Sequence, residues 1–99
     1  MRKVIPPFKL LLQPEVEEAH NLAKFRWAPR EVGSRHQLGG QPSLLKELDW
    51  PECPNGHGQM TFYGQLDSVG DELCIADCGM IYVFLCFDCF QAKAIVQSS

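Results

Sequence analysis

The sequence predicts a mainly β fold of the small α+β kind, built on an antiparallel sheet of three to four strands. Three observations carry this. Strand-forming residues concentrate in runs at 60–66, 80–87 and 92–97, where β-branched and aromatic side chains favour a pleated surface. The segments joining these runs are too short for parallel crossovers, so antiparallel pairing is expected. Cysteine and histidine pairs also stand in turns at the ends of the runs.

Taken in order, Phe8, Leu10, Leu11 and Leu12 form an apolar stretch suited to a short strand that Pro14 stops. From Pro14, the acids Glu15, Glu17 and Glu18 precede the bases Lys24 and Arg26, an order that suits a helix dipole. Val16, Ala19 and Ala23 share one face of that helix, but the face is thin and an irregular segment competes with it. Residues 27–42 hold Trp27, Pro29, Gly33, Gly39, Gly40 and Pro42 and read as a loop. The paired glycines there permit positive φ or a close backbone approach. Residues 42–48 suit one or two helical turns that Trp50-Pro51 ends.

The second half reads as β structure. Residues 60–66 form a strand that ends at the turn signature Asp67-Ser68, with Gly70-Asp71 following,. Leu73-Cys74-Ile75 is a short second candidate. Residues 80–87 are apolar throughout and so expect cover on both faces, and residues 92–97 alternate as a last strand.

The chain reads as one small domain over residues 1–99, with 45% hydrophobic and 10% aromatic residues, ample for a core and unlike a disordered segment. A chain of this size buries only about 60 to 65% of its unfolded surface, so its core needs a staple. Prolines and Lys9 break the N-terminal apolar residues before a secretory leader forms, and no apolar run approaches the ~20 residues of a membrane span. The expectation is a cytoplasmic protein. In that reducing setting five cysteines and three histidines point to metal ligands or buried thiols, because an odd number cannot all pair as disulfides.

Charge narrows the partners. The formal net charge is -3, yet eight of the nine basic residues and six acidic ones fall in residues 1–50. Residues 51–99 hold one base and six acids, and thiolates on a metal would add negative charge there. Nucleic acid is a poor fit to such a balance, since phosphate binding needs a basic field.

Two pairs carry the chemistry. Cys86-Phe87-Asp88-Cys89 is a C-x-x-C at the end of the strongest strand, and Cys53-Pro54-Asn55-Gly56-His57 is a C-x-x-x-H in a turn before another strand. This is zinc-ribbon logic: two knuckles bring Cys53, His57, Cys86 and Cys89 to one tetrahedral zinc ion, which ties the hairpins together. Cys74 and Cys78, at i and i+4, offer a different second pair with Cys86 and Cys89, an all-cysteine site that leaves Cys53 and His57 aside. Otherwise they are small buried hydrophobes.

Enzyme readings fit less well, and no catalytic residue is assigned. A redox dithiol wants its first cysteine at a helix N-terminus, whereas Cys86 ends a strand. A nucleophilic cysteine with His20 or His36 as base lacks an orienting group.

The order His36-Gln37-Leu38-Gly39-Gly40-Gln41-Pro42, then Trp50-Pro51-Glu52-Cys53-Pro54, then Met60-Thr61-Phe62-Tyr63-Gly64-Gln65-Leu66-Asp67, then Gly79-Met80-Ile81-Tyr82-Val83-Phe84 before Cys86 and Cys89, resembles the YwqG-like family of bacterial proteins of unknown function. A more distant likeness runs to the zinc-bearing N-terminal part of the eukaryotic programmed cell death protein two family. The resemblance, over residues 33–99, implies a cytoplasmic β-rich fold with a Gly-Gly-x-Pro loop before a cysteine knuckle, and in the eukaryotic relatives the binding of a client protein. The chain departs from that pattern at Gly56-His57, where a second knuckle cysteine is expected, and in being shorter than most members.

Two functions follow as expectations. The first is a small zinc-binding protein whose metal is structural, with a protein partner docking on a candidate surface of Trp27, Arg35, His36, Gly39, Gly40 and Trp50. The second is a nucleic-acid-binding zinc ribbon that uses Arg2, Lys3, Lys24, Arg26, Arg30 and Arg35.

Overall fold

The structure is a computed structural model and describes residues 2–28 and 31–98; the expected roles of Pro29 and Arg30 lie outside the described residues. The elements are β1 (Phe8–Lys9), α1 (Glu17–Leu22), β2 (Gln37–Leu38), β3 (Thr61–Asp67), a 3-10 turn (Asp71–Leu73), β4 (Met80–Leu85) and β5 (Ala92–Gln97). They form one five-stranded sheet in the order β1-β2-β3-β4-β5, with each neighbouring pair antiparallel. The three long strands lie where the sequence places them. The sheet exceeds the expected three to four strands because β1 and β2 add a narrow flank of two residues each.

A bulge in β3 decides what the sheet buries. Phe62 pairs with Phe84 while Gly64 pairs with Val83, so Tyr63 is the extra residue. An added residue reverses the alternation of everything after it. Gln65 and Asp67 therefore share the buried face with Phe62, opposite Tyr82 and Met80, and Leu66 turns outward. The core on that face is Met60, Phe62, Met80, Tyr82 and Phe84 with Cys53 and Cys86. Trp50 closes one end, edge-on to Phe84 at 5.2 Å between ring centroids, and donates its indole N–H to the Met60 carbonyl at 2.7 Å.

Three expectations of local structure are corrected. Residues 42–48 are not helical but run as an irregular strap over the sheet. Buried side chains, not helical i to i−4 bonds, meet its backbone groups: Ser43 N–H donates to Gln65 Oε1, Leu45 and Lys46 N–H donate to Gln97 Oε1, and Tyr82 Oη donates to the Ser43 carbonyl. Leu73-Cys74-Ile75 is no strand, because the 3-10 turn and the tight turns after it occupy the stretch. The loop expected at 27–42 contains β2, which tertiary pairing with β1 and β3 creates. The helix over 14–26 is present only as the six residues of α1, without a side-chain cap and with no buried residue, in keeping with the thin apolar face.

Asp67 is the polar anchor. Its carboxylate accepts N–H bonds from Gly33, from the Arg35 backbone, from Arg35 Nε and Nη2, and from Ser68, all between 2.7 and 3.0 Å. Arg35 Nη2 also donates to the Cys78 carbonyl, and the Asp67 N–H donates to His36 Nδ1. Burial pushes the Asp67 carboxyl up, but the hydrogen bonds from Arg35 and Gly33 outweigh it and hold the group below the ordinary carboxylate range. A group with a depressed folded pKa stabilises the fold above its unfolded value, about 3.9 for Asp, and that contribution is lost as pH falls through the folded value. Asp67→Asn should therefore lower the unfolding free energy in urea by about 3 kcal/mol at pH 7, by stranding Arg35. The gap to the parent protein should stay constant above about pH 5 and narrow below the ordinary Asp value of about 3.9.

Candidate metal centre

Each half of the site is a turn closed by its own backbone. In the first, the isolated bridge between Glu52 and Gln59 brackets residues 53–58, with Cys53 N–H donating to the Gly58 carbonyl at 2.8 Å and Gly56 N–H to the Cys53 carbonyl at 3.1 Å. Gly56 and Gly58 take φ of +81° and +88°, which the reversal requires and a side chain resists. In the second, β4 runs out at Leu85, Phe90 N–H donates to the Cys86 carbonyl at 2.7 Å, and Cys86 N–H donates to the Gln91 carbonyl at 2.8 Å. Phe90 closes this turn in the left-handed region at φ +61°.

The two turns bring Cys53, His57, Cys86 and Cys89 together, with one ligand atom of each within 4.8 Å of the others. Cys53 Sγ lies 3.5 Å from Cys89 Sγ and 3.5 Å from His57 Nδ1, and Cys86 Sγ lies 3.6 Å from His57 Nδ1. These are the edges of a tetrahedron around a small ion: metal–sulfur and metal–nitrogen bonds of about 2.3 and 2.05 Å imply S···S of about 3.8 Å and S···N of about 3.6 Å. The four residues can hold a metal ion. Cys74 and Cys78 are not among them. The Cys78 N–H donates to Cys74 Sγ at 3.2 Å in the turn before β4, while Cys86 follows β4's other end, about 20 Å of strand away.

The thiols are unequal. Burial pushes the Cys53 thiol up, and the Cys89 N–H, first among several donors, draws the Cys86 thiol down. Cys89 is lowered to about 6, chiefly by the Asn55 side chain, whose amide donates to Cys89 Sγ at 3.4 Å while the Asn55 N–H reaches Cys53 Sγ at 3.4 Å. The His57 ring is raised by Cys89 and then Cys86. Asn55 is a part of the cluster's hydrogen bonding that spacing rules did not single out. Its position inside Cys-Pro-Asn-Gly-His, where an amide can turn back on the chain, is the signal that could have found it.

Of the residues expected to form a partner surface, Gly40 and Trp50 line one cleft together with Arg2 and Lys3, and the others differ in exposure. Trp27 is 88% exposed. The Arg35 guanidinium turns inward to Asp67, and His36 is buried beside it. Gly39 and Gly40 lie against the N-terminal segment, where a Cβ on Gly39 would meet the Pro6 carbonyl oxygen at 2.5 Å. Trp50 covers the core and carries Arg2 over its ring at 4.9 Å. The basic residues of the second expectation are divided as well: Arg2 and Lys3 line a cleft by the metal cluster, while Lys24 and Arg26 line another with Asp71 and Glu72.

Fold and site together define a small antiparallel-β protein with a Cys3His cluster able to hold a metal. A stretch of 63 residues, 64% of the chain, is 33% identical to the uncharacterized protein YpfL of Salmonella typhimurium, and the match spans 15% of that protein's length. No family model matches the chain, and no solved structure matches it. Among the described residues no helix is long and apolar enough to cross a membrane.

In metal-free protein at pH 7, a thiol of pKa about 6 is some nine-tenths thiolate, so Cys89 should be alkylated by iodoacetamide before the other cysteines,. Asn55→Ala should slow that reaction several-fold. Peptide mapping by mass spectrometry after timed quenches reads both.

Proposed function

We propose that Cys53, His57, Cys86 and Cys89 hold one structural zinc ion and that the chain is a cytoplasmic zinc-ribbon-like module that binds a protein partner. The observation that carries the metal reading is the convergence of the four donors, from two separate turns, at near-tetrahedral spacing. Three thiolates and an imidazole suit zinc, and four protein ligands complete its coordination, leaving no open position of the kind catalysis uses. That arrangement supports a structural role over an enzymatic one. Trp27, exposed beside α1, supplies the large aromatic surface that protein interfaces favour. The YwqG-like resemblance is part of the same reading, since it joins a cysteine knuckle to a β-rich fold.

Purified protein should contain one zinc per chain by atomic emission. Cys74→Ser should retain it, whereas Cys89→Ser should lose it. Chelation should lower the melting temperature by more than about 10 °C, since zinc binding in small modules is worth on the order of 10 kcal/mol. Equal melts with and without chelator, or metal lost from Cys74→Ser alone, would overturn the assignment.

A further inference from the structure

Cys74 and Cys78 stand outside the metal cluster and share one short turn. The Cys78 N–H donates to Cys74 Sγ at 3.2 Å, and the Gly79 N–H donates to the Ile75 carbonyl at 2.8 Å. Within that turn Ala76 and Cys78 take φ of +50° and +55°, a region that L-residues keep only where their surroundings hold them in it. The holding groups come from elsewhere in the fold. Ile75 N–H donates to Ser68 Oγ at 2.9 Å, Ser68 Oγ donates to the Gly79 carbonyl at 2.8 Å, and Arg35 Nη2, itself fixed by Asp67, donates to the Cys78 carbonyl at 3.0 Å. Both cysteines are half-buried. The apolar core and the side chains packed on it take in Cys53, Cys86 and Cys89 but neither Cys74 nor Cys78, so the place of a small buried hydrophobe does not account for them.

What the strained turn achieves is to hold two thiols together. Cys78 Sγ is three bonds from the nitrogen that meets Cys74 Sγ, so rotation about the Cys78 χ1 carries one sulfur to the other with the backbone in place. The thiols already interact: after burial, it is the Cys74 thiol that pushes the Cys78 thiol up. We propose that Cys74 and Cys78 are a redox modification site, which a low-molecular-weight disulfide converts to an intramolecular bridge. One cysteine, as its thiolate, attacks a sulfur of the reagent; a mixed disulfide forms, the reagent's S–S bond breaks, and the small thiolate expelled takes up a proton. The other cysteine, as its thiolate, then attacks the protein sulfur of the mixed disulfide, forming the Cys74–Cys78 bond and expelling the second small thiolate, which is protonated in turn. The two cysteines give up two electrons and two protons between them, and the reagent leaves reduced, as two thiols. The bridge takes no atom from the metal cluster, which lies beyond the far end of β4, so the site stands whether or not zinc is bound.

Hydroxyethyl disulfide is the probe, added to the full chain as isolated at about pH 8, with the remaining thiols then blocked by iodoacetamide. Proteolysis before aspartate separates residues 71–76, which hold Cys74, from residues 77–87, which hold Cys78 and Cys86. Mass spectrometry should recover these two peptides joined, lighter than their sum by two hydrogens, and dithiothreitol should part them. Cys74→Ser and Cys78→Ser should each stop at a mixed disulfide on the cysteine that remains. Ala76→Pro keeps both thiols but cannot take a positive φ at residue 76, and its mixed disulfide should outlast the parent's by about tenfold. The β3 and β4 amide resonances check that each chain is folded; should Ala76→Pro fail to fold, the parent and the two serine variants decide. The proposal is overturned if no joined peptide appears, if the parent stops at the mixed disulfide, or if the joined peptide persists in Cys78→Ser, which would put Cys86 in the bridge. A folded Ala76→Pro chain that closes as fast as the parent overturns it equally. None of these readouts depends on metal content.

Discussion

The Asp67 carboxylate is the constraint around which the first half of this molecule is arranged. It gathers five N–H groups from two loops. Each of those loops would otherwise have had to bury unpaired backbone donors, which carry a heavy desolvation cost. Asp67 reaches them only because the bulge at Tyr63 turns it toward the buried face. The same bulge turns Gln65 inward, where its amide bridges Ser43 N–H and the Arg35 carbonyl. One inserted residue thus converts the far half of β3 from an apolar to a polar organising surface. Among the described residues, His36 Nε2 is the one buried side-chain nitrogen or oxygen without a hydrogen-bond partner.

The near half of β3 works differently. There the core is aromatic and sulfur-rich, and Cys53 and Cys86 belong to it as fully as Phe62 and Phe84. The metal cluster is therefore continuous with the core and not appended to it. An ion drawing the four donors together, on the proposed reading, would fix the two turns against the end of the β3–β4 hairpin. In a chain this small such a tie is comparable in size to the net stability of a whole domain, about 5 to 15 kcal/mol. Exposed apolar side chains occur in both parts of the chain: Val4, Leu11, Val16 and Trp27 lie in the first 28 residues, and Phe90, in the cysteine turn itself, is 69% exposed.

How much of this was legible in the sequence follows from which forces are local. The long strands β3, β4 and β5 declare themselves because strand formers run unbroken there. The metal cluster is legible because Cys-x-x-Cys and Cys-x-x-x-His are turns whose geometry is set within five residues. The bulge left no such trace: Phe62, Gly64 and Leu66 read as one alternating face, and only pairing with β4 shows that Tyr63 is extra. β1 and β2 are two residues each, and such short strands exist through their partners, not through propensity. Residues 42–48 carry leucines at helical spacing, yet Gln65, Tyr82 and Gln97 compete for their backbone groups and prevail. His36, which the sequence offers to a partner surface, is buried instead, and its ring is held by the N–H of Asp67, 31 residues further along the chain.

The strap over residues 43–47 has a consequence in time. Its backbone groups are met by side chains of β3, β4 and β5, the last of them Gln97, 52 residues beyond Leu45. During synthesis the strap leaves the ribosome long before its last hydrogen-bond partner is made, and it has no local bonds with which to wait. Contacts of such separation form slowly, because loop closure costs entropy before any contact rewards it. The leucines of the strap that cover the sheet, Leu45 and Leu48, are thus uncovered for much of translation. Leu45 and Leu48 gain their full set of partners only once residue 97 has been made.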